Sequence, residues 1–460
     1  MARKRLSDSD SLLWRMEADP LLRLPVLVVA LLDRRPTDDG VRATIERACA
    51  TVPQLRQRIV DPPLGLGPPR WVDADGVSYD HHVRRQRLPE GGDLRAVLDL
   101  VEPDAVSAFD PARPLWSMRI VDGIADGSGD RSAVVLRFHH AITDGVGAIA
   151  LAERIFDSTR RPRRIRQAAG AASDDGERPD EPGTPAPGGV AALGQMAGSL
   201  LRTTAAAIRH PATALTGPLR LARSTVRVLA PTPPGGSPLL RGRGLDRRLD
   251  AFAVPFAGLR AAADRVGATV NDVLLAAVGG GIDRYHRERG SPVGAVRVTM
   301  PVSIRRPDDP AGGNRFAPAR FVLPVDDPDP AVRARIAHAI VRAWRSEPAL
   351  AGTDLLAAGL NVLPRPVVTR LFGGLLRDRD VNVSNVPGLR HFAYIGGARI
   401  ERMWAFAPVS GAAFSVTLVS NADSGNLAIM CDRAAVEDPD RLARHVREAV
   451  GEVVALGGSP

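Results

Sequence analysis

The 460-residue sequence predicts an α+β protein with mixed sheets, built as two halves. Three observations predict it. Strand-like and helix-like runs mix along the chain without strict βαβ alternation. A stretch at 160–189, rich in Arg, Pro, Asp, Gly and Ala, cannot support a core and divides the chain. The apolar fraction of 44% supplies a sizeable core.

The elements follow in order. Ser7-Asp8-Ser9-Asp10 ahead of Leu12-Leu13-Trp14 reads as a capped helix start. Leu24 to Leu32 reads as a buried strand and residues 40–52 as a helix. Val101 to Ala108 reads as helical, before the turn Pro114-Leu115-Trp116. Ser117–Val121 and Ala133–Phe138 form a strand pair split by the Gly/Asp-rich turn at 123–130. Val146, Ile149, Ala150, Ile155 and Phe156 then recur at helical spacing. The first half is 1–159, the disordered linker 160–189, a basic amphipathic helical connector 190–240, and the second half 241–460. In that second half Phe252–Pro255 reads as a strand and Ala257–Val266 as a helix. Thr269–Arg289 is a helix despite Gly279-Gly280-Gly281, and Val296–Val302 a strand. Helices span 329–347 and 352–376, the latter broken at Pro364 and Pro366. Strands run at Val381–Asn385, Ala412–Ser420 and Leu427–Asp432, and a helix at Pro439–Val454 closes the chain.

Composition narrows the function. Cys49 and Cys431 are too few for a disulfide framework and fit a reducing cytosol. The N-terminus lacks the apolar run of a signal peptide, and Leu24–Leu32 is about half a membrane span. The net charge of +9 is carried by arginine, with Lys4 the only lysine. From Pro187 to Leu245 there is no Asp or Glu, and Arg202, Arg209, Arg220, Arg223, Arg227, Arg241 and Arg243 are all basic. No nucleic-acid motif or interleaved aromatics accompany that charge, so no nucleic acid is expected. Two readings of 190–229 stand side by side. Its helices lie apolar side down in a membrane or lipid-droplet surface, or they pack on the protein with arginine facing water.

The most informative run is His139-His140-Ala141-Ile142-Thr143-Asp144-Gly145. It follows the strand-like Ser132–Phe138, so His140 shares a face with Val134, Leu136 and Phe138, and His139 shares the other with Val135 and Arg137. A neutral imidazole at His140 can accept a proton at cellular pH. Asp144 and Gly145 fit a tight turn into a helix. The second tandem pair, His81-His82, is followed by Val83-Arg84-Arg85-Gln86-Arg87 without Asp-Gly and reads as structural. A metal reading of His139, His140 and Asp144 is discounted, because adjacent strand residues face opposite ways and no further His/Cys cluster lies nearby.

His-His-x-x-x-Asp-Gly resembles the signature of CoA-dependent acyltransferases of the chloramphenicol acetyltransferase type, which include peptide-synthetase condensation domains. Pro114-Leu115-Trp116 upstream, then Asn271-Asp272-Val273, Gly313-Asn314-Arg315-Phe316 and Val383-Ser384-Asn385-Val386-Pro387-Gly388 occur in order. That ordered set resembles the bacterial wax ester synthase/diacylglycerol acyltransferase family, from about Leu6 to about Val454. The resemblance implies two chloramphenicol acetyltransferase-like halves with an active-site tunnel between them. It implies transfer of an acyl group from acyl-CoA to diacylglycerol or a long-chain fatty alcohol, with no other cofactor. His140 is then the general base. Asn271, at a helix start, meets the oxyanion, unless Asn271 or Asp272 only caps the helix. His139, Asp144 and Gly145 shape the motif, Asp144 through a basic partner among Arg119, Arg137 and Arg305. Asn314, Ser384 and Asn385 line the substrate site. The expected location is cytoplasmic, at the periphery of a membrane or lipid droplet. The sequence departs from the family at Leu24-Pro25 and at Val419-Ser420-Asn421, which leaves the acceptor open. Two alternatives follow: an acyltransferase acting on a sugar, amine or polyketide hydroxyl, or a non-catalytic lipid-binding paralogue.

Overall fold

The computed structural model describes residues 5–62, 67–125, 131–161, 236–303, 314, 316–347, 357, 360–361, 363–377, 379–421 and 424–458. The first helix, Asp8–Met16, starts where expected: the Ser7 hydroxyl accepts from the Asp10 amide at 3.0 Å. The strands, in chain order, are β1 (Pro25–Leu32), β2 (Gln57–Val60), β3 (Arg70–Asp73), β4 (Val83–Arg87), β5 (Trp116–Ile124), β6 (Arg131–His139), β7 (Arg247–Val254), β8 (Ala295–Ser303), β9 (Phe316–Pro324), β10 (Arg379–Pro387), β11 (Tyr394–Ile395), β12 (Ala398–Phe406), β13 (Ala412–Asn421) and β14 (Ser424–Asp432).

Two six-stranded mixed sheets result, in the orders β11-β12-β1-β6-β5-β4 and β7-β14-β13-β10-β8-β9, with β2-β3 as a separate hairpin. In the first sheet β1 pairs antiparallel with both β6 and β12, and β4 pairs parallel with β5. In the second, β10 is parallel to β8 and β13, and the other pairings are antiparallel. The predicted α+β class with mixed sheets is what forms.

The two halves are not contiguous in sequence, which corrects the partition at 241–460. β11 and β12 lie deep in the second half of the chain yet complete the first sheet, with Val29 opposite Trp404. The reason is burial. Trp404 and Phe406 are 1% exposed and join Leu27, Val29, Val135, Leu249 and Met430 in a core shared by both sheets. The separate core of the second sheet is covered by the helices Phe256–Val266, Val270–Glu288, Pro330–Arg345 and Pro439–Leu456. The triple glycine in Val270–Glu288 has a packing reason. A Cβ on Gly281 would meet the Val446 backbone at 2.7 Å, so the absence of side chains lets two helices touch.

Six strands escape the sequence reading: β2, β3, β4, β9, β11 and β12. β4 carries three arginines but is a sheet edge, where charge is tolerated. β9 contains Pro318 and ends on Pro324, again at an edge. β12 carries Arg399, Glu401 and Arg402, and its outer neighbour is only two residues long. The helix expected at 101–108 is Leu94–Val101, capped by the Asp93 carboxylate, and it passes into a 3-10 turn at Glu102–Ala105. The linker 160–189 and connector 190–240 lie outside the described residues apart from their edges at 160–161 and 236–240.

Candidate active site

β6 delivers the tandem histidines to the meeting place of the two sheets. Val134, Leu136, Phe138 and His140 line one cavity of about 570 Å³, as strand alternation requires. Both halves contribute walls: Val26, Val28 and Met118 from the first sheet, Met300 and Val383 from the second, and Asn271 from the helix Val270–Glu288. The lining is mostly apolar. His140, Asn271, Ser384 and Asn385 are among its few polar side chains, together with Thr299, Arg345, Arg379, Asn382, Ser410 and Thr417.

His140 lies with its Nδ1 2.8 Å from Asn314 Oδ1. An amide oxygen only accepts, so Nδ1 carries the proton and Nε2 keeps its lone pair. Burial pushes the imidazole below its ordinary pKa, against the opposing pull of the Asp144 charge and the Asn314 bond. His140 is therefore neutral near pH 7, with Nε2 as its basic nitrogen.

His139 turns the other way and is fully buried. The Trp14 and Phe109 rings pack edge-on against it. Its Nδ1 accepts the Ala141 amide at 3.0 Å, so its Nε2–H is the donor to Glu17 Oε2 at 3.2 Å. It braces the turn that follows it. The first tandem pair is structural, as expected: His82 stacks on Trp116 at 4.4 Å and its Nδ1 bonds the Trp116 carbonyl. Leu115 and Trp116 are core residues, and Trp116 also lines the cavity.

Asp144 is the N-cap of the helix Gly145–Ile155, its Oδ1 accepting the Gly147 amide at 2.7 Å. Of its three expected basic partners, Arg119 pairs with Asp104, Arg137 bonds the Ser107 carbonyl and stacks on Phe109, and Arg305 lies outside the described residues. Gly145 packs where a side chain would not fit: a Cβ would lie 2.9 Å from Val386 Cγ2 on β10. Close approach, not turn geometry alone, accounts for this glycine.

The helix Val270–Glu288 settles the capping question at its start. Thr269 is the N-cap and Asp272 closes the capping box, with Thr269 N to Asp272 Oδ2 at 2.8 Å. His338 also holds Asp272. Asn271 thus has no capping duty. Its Oδ1 accepts from Asn385 Nδ2 at 2.8 Å, which leaves its NH₂ as a donor beside the cavity at a helix N-terminus. Ser384 and Asn385 line the cavity, Asn385 by steadying Asn271. Asn314, expected to contact substrate, sits behind His140 instead, 6% exposed, with its amide committed to neighbouring protein groups. Sequence reasoning missed Glu17 and the cavity-wall Arg379. Burial and the nearby Arg320 charge lower the Arg379 pKa to about 9. Neither residue lies in a motif.

With this geometry in view, the similarities to known proteins are informative. A model of the wax ester synthase/diacylglycerol acyltransferase catalytic domain matches residues 6–274, and one of the WS/DGAT C-terminal domain matches 312–453. A Mycobacterium tuberculosis protein provisionally named a diacylglycerol O-acyltransferase is 35% identical over 469 residues, covering 99% of this chain and 94% of the other. The fold is similar to the wax ester synthase/diacylglycerol acyltransferase from Marinobacter aquaeolei VT8, with TM-score 0.64, 19% identity, and coverage of 99% and 100%. It is also similar to the first condensation domain of the CDA synthetase, with TM-score 0.60, 17% identity, and coverage of 100% and 97%. The chain belongs to the wax ester synthase/diacylglycerol acyltransferase family and is an acyltransferase.

Proposed function

We propose that this acyltransferase moves a fatty acyl group from coenzyme A to the hydroxyl of diacylglycerol or a long-chain fatty alcohol, giving triacylglycerol or wax ester. The observation that carries the reading is His140: a neutral imidazole presented to a mostly apolar cavity of about 570 Å³ between the two halves. A thioester is already activated, so the reaction needs a stronger nucleophile and no cofactor besides acyl-CoA as co-substrate. His140 Nε2 takes the acceptor hydroxyl's proton as the oxygen attacks the thioester carbonyl. The carbonyl π electrons move to oxygen, and that oxyanion meets the Asn271 NH₂. Collapse expels the CoA thiolate, which takes the proton from the His140 imidazolium. Ester and CoA–SH leave, and the imidazole is neutral again.

The test is turnover of purified protein with palmitoyl-CoA and a panel of diacylglycerol, hexadecanol, a sugar and an amine, with products identified by mass. Ester of a lipophilic alcohol, absent in His140→Ala, supports the reading. Acylated sugar or amine alone rejects the acceptor class, and tight acyl-CoA binding without turnover rejects catalysis.

Such lipophilic acceptors reside in membranes or lipid droplets, and the protein works at that surface. No described helix is long and apolar enough to cross a membrane. The support is the acid-free stretch 187–245 with its seven arginines, each worth about 1 kcal/mol near an anionic surface. Changing Arg202, Arg209, Arg220, Arg223 and Arg227 to Gln should release the protein from phosphatidylserine vesicles while sparing short-chain turnover. Unchanged, salt-insensitive binding would sink the surface reading.

A further inference from the structure

The tautomer of His140 depends on which way the Asn314 amide faces, and that orientation has a physical cause. Asn314 Nδ2 lies 2.6 Å from Asp10 Oδ1 and 2.8 Å from the His140 main-chain carbonyl. A carboxylate and a carbonyl only accept, so both hydrogens of the NH₂ are used there. The amide oxygen is left facing His140 Nδ1 at 2.8 Å, and the ring must protonate Nδ1. Turning the amide over would set its oxygen against two other oxygens at those distances. It would also present N–H to Nδ1, which would then have to shed its proton to Nε2. An Nε2–H imidazole cannot take a proton from the acceptor hydroxyl.

Of the two groups that set the amide, only Asp10 is a side chain. It lies in the first turn of Asp8–Met16 and is 6% exposed. Asn314 comes from just before β9 and His140 from the end of β6, so Asp10 braces a contact between the two halves. Burying a carboxylate costs free energy unless bonds repay it. Here desolvation raises its pKa while the Asn314 and Ser7 bonds oppose the rise, so the cost is borne at a site tied to His140.

We propose that Asp10 is a positioning residue for acyl transfer: through Asn314 it holds His140 in the tautomer whose Nε2 is free to act as base. It touches no substrate. The role is like that of any carboxylate that fixes a catalytic imidazole's tautomer, with an amide interposed. The proposal rests on the reading of His140 as general base.

The experiment combines kinetics with ¹⁵N NMR of His140. Asp10→Ala should lower kcat about 10- to 100-fold, the scale of one hydrogen bond to a charged group, and leave KM for palmitoyl-CoA within about twofold. Asp10→Asn, which can still offer an acceptor oxygen, should recover most of that loss. In an Asn314→Ala background Asp10→Ala should cost nothing further, because the connection is already cut. The His140 ¹⁵N shifts should move from the Nδ1–H pattern in wild type toward a mixture in Asp10→Ala. If the alanine variant does not fold, Asp10→Leu keeps volume without an acceptor and carries the same measurements. Additive losses in the double variant, or an unchanged tautomer in a slowed Asp10 variant, would overturn the proposal. The NMR readout does not depend on turnover. An inactive protein with the predicted tautomer change would therefore count against His140 as base, not against the relay.

Discussion

Exchange of each tandem histidine for alanine should separate stability from catalysis. In His139→Ala the buried Ala141 amide loses its partner, the partly buried Glu17 carboxylate loses one of its partners, and the contacts to Trp14 and Phe109 vanish. An unsatisfied buried donor costs about 1–3 kcal/mol, and the ring-sized void adds a similar amount. The sum, about 2–6 kcal/mol, corresponds to a fall in melting temperature on the order of 10 °C for a large domain. Residual turnover should remain in the folded fraction, since His139 faces away from the cavity. His140→Ala borders an existing cavity and gives up one side-chain bond, so its melting should shift by about 1 kcal/mol equivalent. Its turnover should fall about 10²- to 10⁴-fold, the range for a lost general base. Thermal melts by circular dichroism and release of CoA thiol from palmitoyl-CoA measure the two effects. A His139→Ala protein that melts like wild type yet is inactive would refute the division of labour, as would a His140→Ala protein with normal turnover.

Four further outcomes follow from the geometry. The acid limb of kcat/KM should lie below pH ~6.5, because burial lowers the pKa of the base; a limb well above that value in the pH–rate profile would contradict the site. Stability should follow the same sign. His82 and His286 are also held below the ordinary imidazole pKa by burial, so their contribution is present above pH ~6.5 and is lost as pH falls and the unfolded chain binds more protons. Melting curves from pH 7.5 to 5 check it. Asn271→Ala should lower kcat about 10²- to 10³-fold with acyl-CoA affinity unchanged, measured by single-turnover kinetics alongside equilibrium binding; normal turnover would return Asn271 to steadying Asn385. Gly145→Ala should cost about 1–3 kcal/mol by overpacking against Val386, and Val386→Ala should relieve it in a denaturant titration of the double variant.

Local chemistry carried much of this protein in its sequence. Strand alternation places His140 on the cavity face with Val134, Leu136 and Phe138, and His139 on the other face, because side-chain direction in a strand is set by parity alone. The Ser7 cap and the helix start at Val270 were legible for the same reason: their hydrogen bonds close within three or four residues. The separation of the two tandem histidine pairs was legible too, since Asp144 next to Gly145 spells a helix start that the earlier pair lacks.

Other features exist only once distant segments meet. β4, β9 and β12 carry arginines or prolines that argue against strands, and an edge or near-edge position excuses them, but sheet position is not written in a local pattern. The return of β12 to the first sheet is decided by the burial of Trp404 and Phe406 against strands from both halves. The surroundings of the base are decided the same way. Asn314 reaches His140 across 174 positions and Asp10 across 304, and no spacing rule connects such residues. Sequence could name the imidazole because its orientation is local. Only the folded chain could assign its proton, because the groups that hold that proton in place converge from three separate parts of the sequence.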